Sequence, residues 1–119
     1  MQDSSATVDG KTGVNEAIDD GPPAELELTD VLHALSDPVR LDLVRQLAAS
    51  GVERSCGSFD LPIAKSTATH HFRVLRLAGV VSARVEGTRK FHQLRRAELD
   101  ARFPGLLDSV IANAPTMRR

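Results

Sequence analysis

Apolar positions along the chain fall into helical stripes, interrupted once by a hairpin signature. Leu28, Val31, Leu32 and Leu35 stand at i, i+3, i+4 and i+7, which is one face of a first helix within residues 25–35. Ser36-Asp37-Pro38 then supplies a capping side chain followed by proline at the first helical position, where its missing N–H is not needed. Val39, Leu43, Val44 and Leu47 form the stripe of a second helix over 38–49, and Ser50-Gly51 ends it. Residues 52–63 are irregular, because Gly57 and Pro62 limit any helix there to a turn or two. A third helix is expected from Lys65 to Ala78, stopping at Gly79. Residues 80–85 and 89–94 read as strands joined by a three-residue hairpin, Glu86-Gly87-Thr88. The last amphipathic stretch, 97–112, is broken by Pro104-Gly105 into two short helices. The expected fold class is therefore mainly α (α+β), with about five helices and a two-stranded hairpin.

Residues 1–24 show no period, hold few apolar residues and end in Gly21-Pro22-Pro23, and they are read as a disordered acidic arm. The folded domain is expected over 25–113, with 114–119 a flexible tail. A chain of 119 residues builds one small domain. Such a domain buries only roughly 60–70% of its unfolded surface, so dimerisation is a natural source of further stability.

Charge separates the two ends of the chain. Residues 1–30 hold eight acids and one base, whereas residues 61–96 hold eight bases and one acid, Glu86. A basic helix followed by a basic hairpin is a docking surface for a grooved polyanion. Trp and Tyr are absent and Phe occurs four times. Aromatic stacking platforms for single strands or RNA are thus poorly supplied, and groove readout of duplex DNA fits better. The single cysteine, Cys56, excludes an intrachain disulfide and suits a reducing cytoplasm. The N-terminus is acidic without an apolar signal region, and no apolar run approaches the ~20 residues of a bilayer span, so no membrane association is expected.

The third helix is the candidate reader. At about 100° per residue, Ala68, Phe72 and Leu75 share one side and Ser66, His70 and Arg73 the other, flanked by Thr67 and Thr69. Every outward side chain can hydrogen-bond and none is acidic. Arg can fork onto guanine, and Ser or Thr can contact bases or phosphates. Lys65, Arg76, Arg84, Arg89 and Lys90 are assigned to phosphates, each neutralised phosphate adding a salt slope of about −0.9.

Three stretches resemble the ArsR/SmtB family of winged helix-turn-helix transcription factors. They are Ala34-Leu35-Ser36-Asp37-Pro38-Val39-Arg40-Leu41, then Lys65 to Arg76 with Ala78-Gly79-Val80-Val81, then Arg84–Leu94 with Phe91 in the wing's aromatic place. Together they cover about residues 28–112. The resemblance implies a winged helix-turn-helix homodimer joined through its first and last helices. It implies recognition helices in successive major grooves about 34 Å apart on a dyad-symmetric operator, and a repressor whose DNA affinity changes with an inducer. Three departures stand out. Ala64 occupies the cap position where Ser is common, so Ser66 is expected to cap a later start. The paired-thiolate motif is reduced to Cys56. The C-terminal helix lacks the histidines used for zinc.

No cofactor is expected to be required, and the effector stays open. Asp30 and His33, at i, i+3 on the first helix, can point at one ion, with Asp108 or Glu98 of the partner's last helix completing a site suited to Ni(II) or Zn(II). Against this stands the plain reading of a surface Asp/His pair. Cys56 is a redox candidate, although only Arg54 is near it in sequence, and an organic ligand would leave no signature. His71 is read as a structural histidine. No phosphate loop, paired carboxylates or nucleophile motif points to an enzyme. The competing class is a winged helix used as a protein-interaction module, and the acidic arm leaves room for a partner protein.

Overall fold

A computed structural model describes residues 23–117. The disordered arm expected over 1–24 lies outside the described residues except for its last two. The elements run α1 (Leu28–Ala34), α2 (Pro38–Ser50), β1 (Arg54–Ser55), a 3-10 turn (Cys56–Ser58), α3 (Lys65–Ala78), β2 (Val81–Glu86), β3 (Arg89–Leu94), α4 (Arg96–Arg102) and α5 (Leu106–Asn113). The five expected helices are all present. This is an α+β winged helix-turn-helix.

Local chemistry accounts for the helix ends. Asp37 Oδ2 accepts from the N–H groups of Val39 and Arg40 at 2.9 and 3.1 Å, so it caps α2 one residue before Pro38. Gly79 closes α3 in the left-handed region at φ 86°. A side chain there would meet Leu26 Cδ2 at 2.5 Å and Pro23 Cδ at 3.1 Å, so glycine serves both the turn and the close approach of the incoming chain.

The wing differs from the expectation in two ways. It has three antiparallel strands in the order β1-β3-β2, because Arg54 pairs with His92 and Ser55 with Phe91. Its hairpin loop is two residues, since Glu86 pairs with Arg89 and leaves Gly87 and Thr88 to turn, with Gly87 at φ 63°. The core joins Val31 and Ala34 of α1, Leu43, Val44 and Leu47 of α2, Phe72 and Leu75 of α3, and Leu99 and Leu107 from the last two helices. Each buried Val, Leu or Phe side chain contributes about 1.5–3 kcal/mol.

Within the expected flexible tail, Met117 lies against the body. It packs on the core and its N–H donates to Asp42 Oδ2 at 3.0 Å. Asp42 is fully buried on α2 and also receives Arg45 and the Gln46 amide. Among the described residues, no helix is long and apolar enough to cross a membrane.

Candidate nucleic-acid interface

The side chains read as groove-facing all stand on the solvent side of α3. Lys65, Ser66, Thr67, Thr69, His70 and Arg73 are exposed, whereas His71, Phe72, Leu75, Arg76 and Ala78 are buried. The exposed set contains no carboxylate. Thr69 Oγ1 donates to the Lys65 carbonyl at 3.0 Å, which settles its rotamer.

The start of α3 corrects one expectation. The helix begins at Lys65 with Ala64 as N-cap and no side-chain cap, so Ser66 lies inside the first turn rather than before it. Helix N-termini attract phosphate through their unsatisfied N–H groups. Lys65, at this one, lines an open cleft of about 570 Å³ whose other walls include Ser55 at the end of β1, Ser58 from the 3-10 turn, and Thr88, Arg89 and Lys90 from the wing tip. Three cations and no acid line that cleft.

Two of the expected phosphate contacts sit elsewhere. Arg76 is only 5% exposed, and its Nη1 lies 3.1 Å from His92 Nε2. A guanidinium held in the interior by a ring nitrogen does not reach a phosphate, so Arg76 leaves the contact set. Arg84 lies on the outer face of the sheet. Its Nε donates to both Glu53 carboxylate oxygens at 2.9 Å, its Nη1 donates to Glu86 at 3.0 Å, and its guanidinium covers the Phe91 ring at 4.6 Å. These ion pairs hold the Glu53 carboxyl below its ordinary range and Arg84 above its own. They also cover the charge of Glu86, the one acid at the wing that opposed a polyanion.

Two buried arginine–histidine pairs hold α3 from either flank, and neither was anticipated. On the wing side, Arg76 donates to His92 Nε2. Arg has no acceptor, so His92 carries its proton on Nδ1. That nitrogen is 3.4 Å from Cys56 Sγ, which therefore accepts. The His92 ring is fully buried and stacks on Phe72 at 4.1 Å. Burial first, then Arg76 and Lys90, push its pKa down to about 3. On the α1–α2 side, Arg40 Nε donates to the Ala34 carbonyl at 2.6 Å and Nη1 to His71 Nδ1 at 2.9 Å. Asp37 Oδ2 is 3.9 Å from the same nitrogen. Burial lowers the His71 pKa, Asp37 opposes that, and Arg40 and His70 add to it.

The sensing candidates are scattered. Cys56 is half-buried against His92, and burial raises its thiol pKa despite Lys90, Arg76 and Lys65. A raised pKa disfavours the reactive thiolate. Asp30 and His33 do line one groove together, but its other wall is Val74, Leu77 and Ala78. Asp108 is ion-paired with Arg96 near the start of α5. Among the described residues, no three His, Cys, Asp or Glu side chains gather as a metal site.

Residues 35–82 match a family of helix-turn-helix domains. The chain is 38% identical over 82 residues to the uncharacterized HTH-type transcriptional regulator YceK of Bacillus subtilis, covering 67% of this chain and 82% of that protein. An uncharacterized HTH-type transcriptional regulator of Methanocaldococcus jannaschii is 36% identical over 66 residues, covering 55% of this chain and 74% of that one. Among solved structures, a possible transcriptional regulator for arsenical resistance superposes with TM-score 0.51 at 28% identity, covering 72% of this chain and 97% of that one. The transcriptional repressor BigR from Xylella fastidiosa superposes with TM-score 0.52 at 30% identity, covering 64% and 85%. These relatives are transcriptional regulators, not enzymes, and helix-turn-helix regulators bind DNA. The chain belongs to the ArsR/SmtB-type winged helix-turn-helix transcriptional regulators.

Proposed function

We propose that this protein is a homodimeric, sequence-specific repressor in the cytoplasm that binds a dyad-symmetric duplex operator and releases it in response to an effector. The acid-free exposed face of α3, beside a cleft lined by three cations, carries the reading. Ser66, Thr67, Thr69, His70 and Arg73 face the major groove, and Lys65, Arg89 and Lys90 flank the backbone. Leu28 and Leu32 support the dimer: they are 45% and 46% exposed, one turn apart on α1. The similarity to a named repressor supports the sign of regulation.

The metal version of the effector has less behind it. Each chain offers Asp30 and His33 on the side of α1 that faces α3, whereas Leu28 and Leu32 lie on the opposite side. A partner docking on the leucines would not bring its Asp108 to the pair.

The test is fluorescence anisotropy with labelled duplex DNA from upstream of the protein's own gene, at several salt concentrations, in chelator and then with Ni(II) or Zn(II). Arg73→Ala is expected to lose about 1–3 kcal/mol at one base position and relax its specificity. Arg89→Ala should weaken all sequences alike and reduce the salt slope by about one. Duplex binding without salt dependence, or full affinity in both variants, would return the protein-interaction reading.

A further inference from the structure

α1 and α3 run side by side, and their facing side chains line a groove of about 340 Å³. One wall is Asp30 and His33, a turn apart on α1, and the other is Val74, Leu77 and Ala78 of α3. We propose that this groove is the effector site, that it takes a small amphiphilic amine, and that the amine reaches DNA affinity through Arg40. The proposal rests on the regulatory reading above and names its ligand class.

The chemistry of the two walls selects the ligand. Asp30 is the one carboxylate of the lining, and it is placed for an ammonium group; the His33 imidazole offers a second polar contact. The α3 wall is wholly apolar, with Leu77 48% exposed, and accepts a ring or short alkyl body. A divalent ion would find two donors and then hydrocarbon. The volume falls at the small end of ligand pockets, roughly 300–1,000 Å³. A second copy docking on Leu28 and Leu32 would leave the groove open, since Asp30 and His33 lie about half a turn round α1 from them.

Arg40 supplies the coupling. It is buried, and it holds the end of α1 through the Ala34 carbonyl at 2.6 Å, with Nη2 3.5 Å from the His33 carbonyl. Its Nη1 holds α3 through His71 Nδ1 at 2.9 Å. His33 is thus in the ligand wall by its side chain and against Arg40 by its backbone. A body that parts α1 from α3 as it seats in the groove lengthens one of these bonds, and His71 adjoins the DNA-facing His70. Ligand binding and the α3 orientation that reads DNA therefore oppose each other. Coupling in such systems is typically about 5–150-fold.

The experiment uses the full chain with 2-phenylethylamine as probe. Controls are 2-phenylethanol, which keeps the body without the charge, and methylammonium, which keeps the charge without the body. Amide NMR shifts report binding and operator anisotropy reports the response. Millimolar 2-phenylethylamine is expected to move the amides around Asp30, His33 and Leu77 and to raise the operator Kd at least tenfold, while neither control does both. Asp30→Asn should remove the response to the amine. Arg40→Lys should retain the amide shifts at Leu77 and lose the effect on DNA, which a merely structural defect would not produce. The proposal is overturned if the alcohol acts like the amine, if methylammonium reproduces the DNA effect, or if those amides respond to protein concentration but not to the probe. Operator binding without any probe is measured in the same series, so failure of the site and failure of the DNA-binding reading are told apart.

Discussion

On the wing flank of α3, the Arg76–His92 pair is dry. The ring is stacked against Phe72, its second nitrogen is used by Cys56, and burial together with the cations Arg76 and Lys90 keeps it neutral, with no carboxylate opposing them. On the opposite flank, the Arg40–His71 pair has the same two side chains in a different setting. His71 sits at the edge of the core, and Asp37 stands 3.9 Å from the nitrogen that accepts from Arg40. The same chemistry thus yields a fixed strut on one side and an adjustable one on the other. The difference lies in a single carboxylate and in access to water, and it falls on the flank that faces α1 and its groove.

The largest expected effect comes from removing the strut. His92→Ala empties a stacked ring position beside Phe72 and takes an acceptor from buried Arg76. A loss of about 3–5 kcal/mol is expected in urea unfolding. His92→Gln, which keeps an acceptor near Nε2, should recover part of it. If His92→Ala costs under about 1 kcal/mol, the wing flank is not a strut and the comparison fails.

Acid separates the pairs next. Both histidines have folded pKa values below the ordinary 6.5. The unfolded chain therefore binds protons first, so both contributions are present above pH 6.5 and fade as pH falls towards each folded value. For His92, with a folded value of about 3, the loss reaches about 2 kcal/mol by roughly pH 5 and continues below. The His71 loss stops higher, because Asp37 supports the imidazolium. His71→Asn places a non-titrating acceptor near Nδ1. It should leave the low-pH His92 limb of the stability profile intact while flattening the limb just below 6.5, measured as denaturant midpoint against pH. An unchanged upper limb would show that His71 is not the adjustable partner.

Much of this architecture was written in local pattern. The stripes on α1, α2 and α3 follow from spacing, the Asp37 cap from its place before Pro38, and the acid-free face of α3 from which residues are 100° apart. Strand β1 was invisible, since Arg54-Ser55 has no alternation of its own and exists only because β3 offers an edge. Arg76 misled for a related reason. It follows Arg73 by three residues and so looked continuous with the exposed face, yet it also lies four after Phe72, on the side the wing covers. Spacing gives an angle on a helix but not what packs against that angle. Arg40 did carry a signal, being one turn before buried Val44 on α2. Its partner on α3 is 31 residues away, and no local pattern connects them.

Cys56 sharpens the comparison at its smallest scale. If His92 is locked as the Nδ1–H tautomer by Arg76, the group at position 56 needs only to accept. A hydroxyl does this about as well as a thiol, so Cys56→Ser should change stability by no more than about 1 kcal/mol and leave operator affinity intact. The thiol itself, raised in pKa by burial, should react with a neutral disulfide reagent more slowly than a free thiol at the same pH. A large destabilisation in Cys56→Ser, or fast thiol chemistry at neutral pH, would mean that the sulfur donates and His92 Nδ1 accepts. Arg76 could then no longer be the donor to Nε2, and the wing flank would be as adjustable as its counterpart.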